Sequence, residues 1–362
     1  MTMEIFGLEG IGEVRPGDDL GVLLLEALNR RGRVLRDNDV LIVSSKIVSK
    51  AEGRIVDAEN RDAAIAAASV RRVAARRTPR GLAQIVESKA GPVMAAAGVD
   101  ASNVEPGTVL LLPVNPDASA RALRARLAEL TGARIGVILS DTAGRAWRAG
   151  QVDFALGAAG LLITDDLRGA VDTYGQPLEV TMRALVDELA SAADLVKGKL
   201  TGIPAAVIRG SGVPVTEVDG PGAASLLRPA REDWFRYGHV EAVGASLGLD
   251  PATLEPPTVP RGPIQERFIR AFTVAMESSP PWDSATADMA EMMSKIAYLM
   301  DEDDEQTIIV TQYGSGNGFE AAGILASLAQ RLAAAAWAEE LIVNILLLPT
   351  PDPQMRVTAT DA

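Results

Sequence analysis

The sequence predicts an α/β protein with a large first domain and a smaller C-terminal α/β domain. Apolar runs of strand length alternate with alanine-rich or amphipathic helical stretches, several runs give way abruptly to polar residues, and a proline-rich segment interrupts the pattern near residue 251. At 362 residues the chain exceeds what one compact core usually holds, so two domains are expected. Hydrophobic residues at 48% and charged residues at 23% are those of a folded globular chain, not a fibrous or disordered one.

Taken in order, Asp39–Ser45 (DVLIVSS) is a β-branched apolar strand that opens into a polar loop, Ser44–Lys50. An alanine-rich helix begins at Asp62 and continues into Arg71–Arg80, whose five arginines read as a solvated helix face. Thr108–Pro113 is a buried strand, followed by a helix over Ala120–Leu130 that Asp117 or Ser119 caps and that Thr131 and Gly132 stop. Arg134–Leu139 is the next strand and ends at Ser140, Asp141 and Thr142. Gly157–Leu162 and Ala205–Ile208 read as further buried strands, and Val180–Lys197 as an amphipathic helix.

Five of the thirteen residues in 251–263 are proline, which favours extended backbone and marks a linker between a domain over 1–250 and one over 264–362. The second domain is read as helices over Gln265–Met276, Ala285–Met300 and Glu320–Trp337, an acidic turn over Asp301–Glu305, and strands over Thr307–Thr311 and Leu341–Leu348.

Composition excludes several chemistries. With 35 Lys and Arg against 48 Asp and Glu the net charge is -13, so the surface repels nucleic acid and no nucleic-acid partner is expected. The chain has no cysteine, which removes disulfides, thiolate nucleophiles and thiolate metal sites. Its one histidine, His239, lies among aromatics and reads as a packing or capping residue. Any metal must then be held mainly by oxygen, as magnesium, manganese and calcium are. The N-terminus has no basic and apolar leader pattern, and no 18-residue apolar run occurs, so a cytoplasmic protein without a membrane span is expected.

Carboxylates just after strands suit a hard divalent cation, and Asp100 and Asp141 are the two best placed, with the Thr142 hydroxyl beside the second. Arg145 and Arg148 stand three apart, so a helical turn would aim both guanidinium groups to one side to grip a phosphate or carboxylate. Lys46 and Lys50, four apart beyond a strand, add charge for phosphates. No Walker motif is present, and Gly314–Gly318 carries Phe319 where a dinucleotide fingerprint needs glycine.

Several strings occur together and in order: Arg15–Asp19 (RPGDD), Ser44–Arg54 (SSKIVSKAEGR), Ala97–Val104 (AGVDASNV), Leu111–Asp117 (LLPVNPD), Ser140–Gln151 (SDTAGRAWRAGQ) and Asp172–Gly175 (DTYG). Over about residues 5 to 250 they resemble the coenzyme F420-0:L-glutamate ligase family, the F420 γ-glutamyl ligases. The resemblance implies a homodimeric, mixed-sheet α/β fold unrelated to P-loop proteins. It also implies GTP-dependent ligation of L-glutamate, first to F420-0 and then in γ-linkage, through an acyl phosphate. Two divalent ions, manganese or magnesium, and potassium accompany that chemistry.

Carried over by matching strings, Asp100 and Asp141 would hold a divalent metal and Thr142 a second one. Ser45, Lys50 and Asn103 would contact GTP, and Ile11, Gly12, Glu13 and Val14 would lie along the nucleotide. Arg145, Arg148 and Gln151 are the candidates for gripping the transferred phosphate or the acceptor carboxylate, and Lys197–Pro204 resembles a family nucleotide loop. Ser88–Gly91 stands where the family usually has Arg-His-Gly. Residues 264–362 do not match the longer flavin-binding reductase domain fused to actinobacterial members, so no flavin is expected. The rival readings are a bifunctional protein with a shrunken reductase tail, a docking tail, and a metal-dependent nucleotide phosphatase.

Overall fold

A computed structural model describes residues 2–78, 81–229, 232–233, 235, 237–238, 242–243, 263–277, 296–301, 304–312, 318–339, 341–348 and 354–361. It divides into two compact units, Met1–Arg71 with Ala83–Asp233, and Arg72–Leu82 with Trp234–Ala362. His239, the proline-rich segment up to Gly262, and the Gly314–Gly318 loop short of its last residue lie outside the described residues. The α/β class expected from the sequence is borne out, with a mixed sheet at the centre of the first unit.

From the N-terminus the chain runs β1 (Glu4–Gly7), α1 (Leu20–Arg30), β2 (Val40–Ser44), α2 (Ser45–Ala51), β3 (Ile55–Asp57), α3 (Arg61–Ala68), β4 (Ser69–Thr78), β5 (Gly81–Ser88) and β6 (Val93–Ala95), all in the first unit except the Arg72–Leu82 stretch of β4 and β5. It continues with β7 (Thr108–Leu110), α4 (Pro116–Thr131), β8 (Gly136–Arg145), β9 (Arg148–Ala159), β10 (Thr164–Asp166), β11 (Met182–Ala184), α5 (Leu185–Lys197) and β12 (Ala205–Arg209). The main sheet has the order β1-β12-β2-β8-β9, with β2 and β8 parallel and the other neighbours antiparallel.

Val40 to Val43 are all buried because the sheet is covered on both faces. Strand alternation sends Leu41, Val43, Val137, Leu139 and Val207 toward Leu24 and Leu28 of α1 and Leu123 and Leu127 of α4. The intervening Val40, Ile42, Ile138, Ala206 and Ile208 meet Val186, Leu189 and Ala193 of α5. Each fully buried Val, Leu or Ile among these contributes about 1.5–3 kcal/mol. The layers come close: a Cβ on Gly157 of β9 would overlap the Pro116 backbone at the start of α4.

Several local expectations change. Ser44–Lys50 is not a loop, since Ser44 caps a helix through its Oγ, which accepts from the Lys46 N–H at 3.4 Å. The alanine-rich helix stops at Ala68 and Arg71–Thr78 is strand, paired in the sheet β4-β5-β6, because cross-strand partners such as Glu87, 2.7 Å from Arg71, outweigh weak helix propensity. The cap of α4 is Asn115, whose Oδ1 accepts from the Ala118 N–H at 3.0 Å; the expected stop holds, with Gly132 left-handed at φ 71°. Asp117 instead accepts from the N–H groups of Ala158, Ala223 and Ala224 and latches a loop onto the helix start.

The strand expected to end at Leu139 runs on to Arg145, with a register shift between Leu139 and Ser140. Such a bulge re-aims side chains next to a site. Arg145 and Arg148 are therefore paired across a hairpin, not stacked on a helical turn.

The second unit contains α6 (Ile264–Glu277), β13 (Ile296–Asp301), β14 (Asp304–Gln312), α7 (Gly318–Ala338), β15 (Leu341–Leu348) and β16 (Gln354–Asp361). Its antiparallel sheet has the order β13-β14-β16-β15. One face, with Ile308, Val310, Met355 and Val357, packs on Phe268 and Phe272 of α6 and Leu325, Leu328 and Leu332 of α7. Of the helix expected over Ala285–Met300, residues 285–295 lie outside the described residues and Ile296–Met300 is strand; β16 was not foreseen.

Candidate active site

Parallel strands β2 and β8 pair to the end, Ser44 beside Ser140, and a ligand site in such sheets lies beyond those carboxyl ends. A cleft of about 470 Å³ opens there. It is lined by the Ile11–Val14 segment, by Lys46 and Lys50 of α2, by Asn103, by Ser140, Asp141 and Thr142 of β8, by Asp153 of β9, and by the turn from Lys197 to Pro204.

Its floor is a buried ion pair. Lys197 Nζ lies 2.6 Å from Asp153 Oδ2 and donates to Ser140 Oγ at 2.7 Å. Ser140 Oγ donates to the same Asp153 oxygen at 2.9 Å, and Thr142 Oγ1 donates to Asp153 Oδ1 at 2.7 Å. Burial alone would push the Asp153 carboxyl up, but the Lys197 charge and the donors Lys197, Thr142 and Ser140 hold it below the usual carboxylate range.

Asp141 has the opposite character. Burial, with Asp153 nearby, pushes its carboxyl up to about 6, against the Thr142 N–H, the Lys46 charge and the Ser45 hydroxyl. Ser45 is itself buried and donates to Asp141 Oδ1 at 3.3 Å.

At the rim, Lys46 Nζ lies 2.5 Å from Asp100 Oδ2 and 2.5 Å from Ser102 Oγ. Burial would raise Asp100, but Lys46 and Ser102 hold it below the usual range. Lys50 Nζ lies 2.5 Å from Glu13 Oε1.

The cleft thus gathers Ile11, Gly12, Glu13, Val14, Lys50, Asn103, Asp141 and Thr142 from the expected set. Ser45 stands behind Asp141 and Asp100 behind Lys46, each one hydrogen bond from the lining. Arg145, Arg148 and Gln151 are exposed on the hairpin and do not line the cleft. Sequence reasoning missed Asp153 and Ser140, and Asp194 of α5, which also lines the cleft. A lone carboxylate inside the apolar strand VDFALG was the available signal for Asp153, because such a group is buried only when paired.

The donor set suits a hard cation in part. Among the described residues no three carboxylate or imidazole groups converge on one point. Yet Lys46 holds an ammonium charge against Asp100 and acts on Asp141, and Asp141 is under-compensated enough to be raised to about 6. A divalent ion drawing on these two carboxylates and the Thr142 hydroxyl would supply the missing positive charge.

The sequence profile of the family described as F420-0:Gamma-glutamyl ligase matches residues 10–210. The Coenzyme F420:L-glutamate ligase of Archaeoglobus fulgidus is 42% identical over 255 residues, covering 65% of this chain and 97% of the relative. That of Methanothermobacter thermautotrophicus is 39% identical over 256 residues, covering 65% and 100%, and that of Methanopyrus kandleri 40% over 245, covering 62% and 94%. No described helix is long and apolar enough to cross a membrane. The profile covers more than half of the chain and the relatives are about 40% identical over nearly their whole length, so the chain belongs to the F420-0:gamma-glutamyl ligase family of amide-bond-forming enzymes.

Proposed function

We propose that the protein is a GTP-dependent ligase that joins L-glutamate to coenzyme F420-0 and extends it with γ-linked glutamates, on the non-P-loop fold of its family and as a cytoplasmic homodimer. The observation that carries this reading is the convergence of Ile11–Val14, Lys50, Asn103, Asp141 and Thr142 on one cleft from segments far apart in the chain. Lys46, Lys50 and Lys199 line that cleft in a protein of net charge -13, as the pocket of a polyanionic nucleotide requires.

The acceptor's terminal carboxylate attacks the γ-phosphorus of GTP, forming an acyl phosphate and releasing GDP. The glutamate amine then attacks the acyl carbon, phosphate leaves, and the amine loses a proton. Lysines at the rim exchange their carboxylate partners for phosphate oxygens, while the Asp153–Lys197 floor fixes the Thr142 hydroxyl. Asp100, Asp141 and Thr142 would hold two manganese or magnesium ions, with potassium nearby, and such ions neutralise charge on the transferring phosphoryl group. Because Arg145, Arg148 and Gln151 stand outside the lining, the phosphate contacts are assigned to the lysines.

Mass spectrometry after incubation with F420-0, L-glutamate, GTP and manganese tests the proposal. Additions in single glutamate steps, absent without GTP, are expected. GTP hydrolysis with no glutamate added would instead support a nucleotide phosphatase.

A further inference from the structure

A second cavity of about 590 Å³ lies in the first unit and shares no lining residue with the cleft. One wall is α3. Its Ala63, Ala64, Ala67 and Ala68 recur at the spacing of a single helix face, while Ile65 turns into the core. That wall offers methyl groups alone, and Leu111 and Leu112 add further apolar surface.

Two cations break this apolar surface, Arg54 and Lys89. Arg54 Nε donates to the Leu112 carbonyl at 3.1 Å, which pins the guanidinium at the cavity. Among the described residues neither its Nη atoms nor Lys89 Nζ has an anionic partner. Asp57 is the one carboxylate among the described lining residues, and its Oδ1 accepts from the Glu59 N–H at 3.0 Å. In a chain where acidic residues outnumber basic ones 48 to 35, two cations on one apolar cavity with no carboxylate partner among the described residues are a recognition pattern, and the volume is that of a small-molecule site.

We propose that this cavity binds a small molecule with an apolar body and an anionic group, a carboxylate, phosphate or sulfonate that meets Arg54 and Lys89. The site does not depend on the ligase reading. The acceptor of the ligation is one source of such a molecule, and an unrelated anionic metabolite is the other.

The probe is 8-anilinonaphthalene-1-sulfonate, titrated into the full chain by fluorescence. Saturable binding is expected, weakened at least tenfold by Lys89→Ala, weakened again by Arg54→Ala, and abolished by Ala67→Leu, which fills the groove. Lys89 and Ala67 are exposed, so both variants should melt at the parent temperature. Raising salt from 0.05 to 0.5 M should weaken binding in the parent more than in Lys89→Ala. Displacement by F420-0 supports the site with the acceptor as its source. Persistence of Lys89-dependent binding under F420-0 supports it with another source. Binding that is unchanged in Lys89→Ala and Ala67→Leu, or that GTP displaces, would overturn the proposal.

Discussion

The floor and the rim of the cleft use the same chemistry, lysine against carboxylate, to opposite ends. At the floor Lys197 and Asp153 are each 4% exposed, and Ser140 and Thr142 complete their hydrogen bonds. At the rim Lys46 faces a 39% exposed Asp100, and Lys50 faces a 71% exposed Glu13. A buried pair whose members are satisfied is costly to break from one side. A pair with one member in water contributes about 0–1 kcal/mol and exchanges partners readily. The floor is therefore a fixed foundation, whereas the rim lysines are available to an incoming anion.

The largest effect is expected at the floor. Lys197→Met leaves Asp153 buried without its cation and should destabilise the protein by about 3–5 kcal/mol. Lys197→Met with Asp153→Asn together should lose less than the sum of the two single changes, as chemical denaturation would show. Equal additive losses would mean that the pair is not a unit.

Between floor and rim, Asp141→Asn should lower glutamate addition about 100-fold or more while the folded structure persists, measured by product mass spectrometry beside circular dichroism. The same variant sharpens the electrostatics. Asp141 keeps its proton up to about pH 6 when folded, and an unfolded aspartate releases it near 3.8. Between those values the folded state binds more protons, so the stability of the metal-free protein falls as pH rises through that window. Asp141→Asn removes that loss and should be about 1–2 kcal/mol more stable than the parent at pH 8 in chelator, a figure screened by the opening to the cleft. The gain should vanish toward pH 4.

At the rim Lys46→Met should change stability by less than about 1 kcal/mol yet weaken GTP binding about tenfold, read by calorimetry. A stability loss matching that of Lys197→Met would erase the distinction. The smallest effect lies at the hairpin tip, where Trp147 is 92% exposed with φ +62°. A left-handed conformation costs a bulky residue about 1–2 kcal/mol, so Trp147→Gly should raise the melting temperature slightly.

Much of this molecule is local. Apolar runs such as Val40–Val43 and Ala205–Ile208 read as buried strands because strand alternation is hidden when both sheet faces are covered. Gly132 ends α4 because the left-handed turn needs no Cβ. Arg71–Thr78 is strand although alanine and arginine are good helix formers, because helix propensity is a weak preference that pairing with the next strand, β5, overrides.

By itself the sequence determined the α/β class, the family and the chemical kinds of group at hand: carboxylates, lysines and hydroxyls, with no thiol and one imidazole. The tertiary structure alone decided which of them meet. Asp153 reaches Lys197 across 44 residues of chain, and the bulge after Leu139 aims Asp141 and Thr142 beside that pair. The same hairpin carries Arg145 and Arg148 out of the cleft. Local sequence sets backbone preference and side-chain chemistry, but burial, and with it the value of a charge, depends on which segments the sheet brings together.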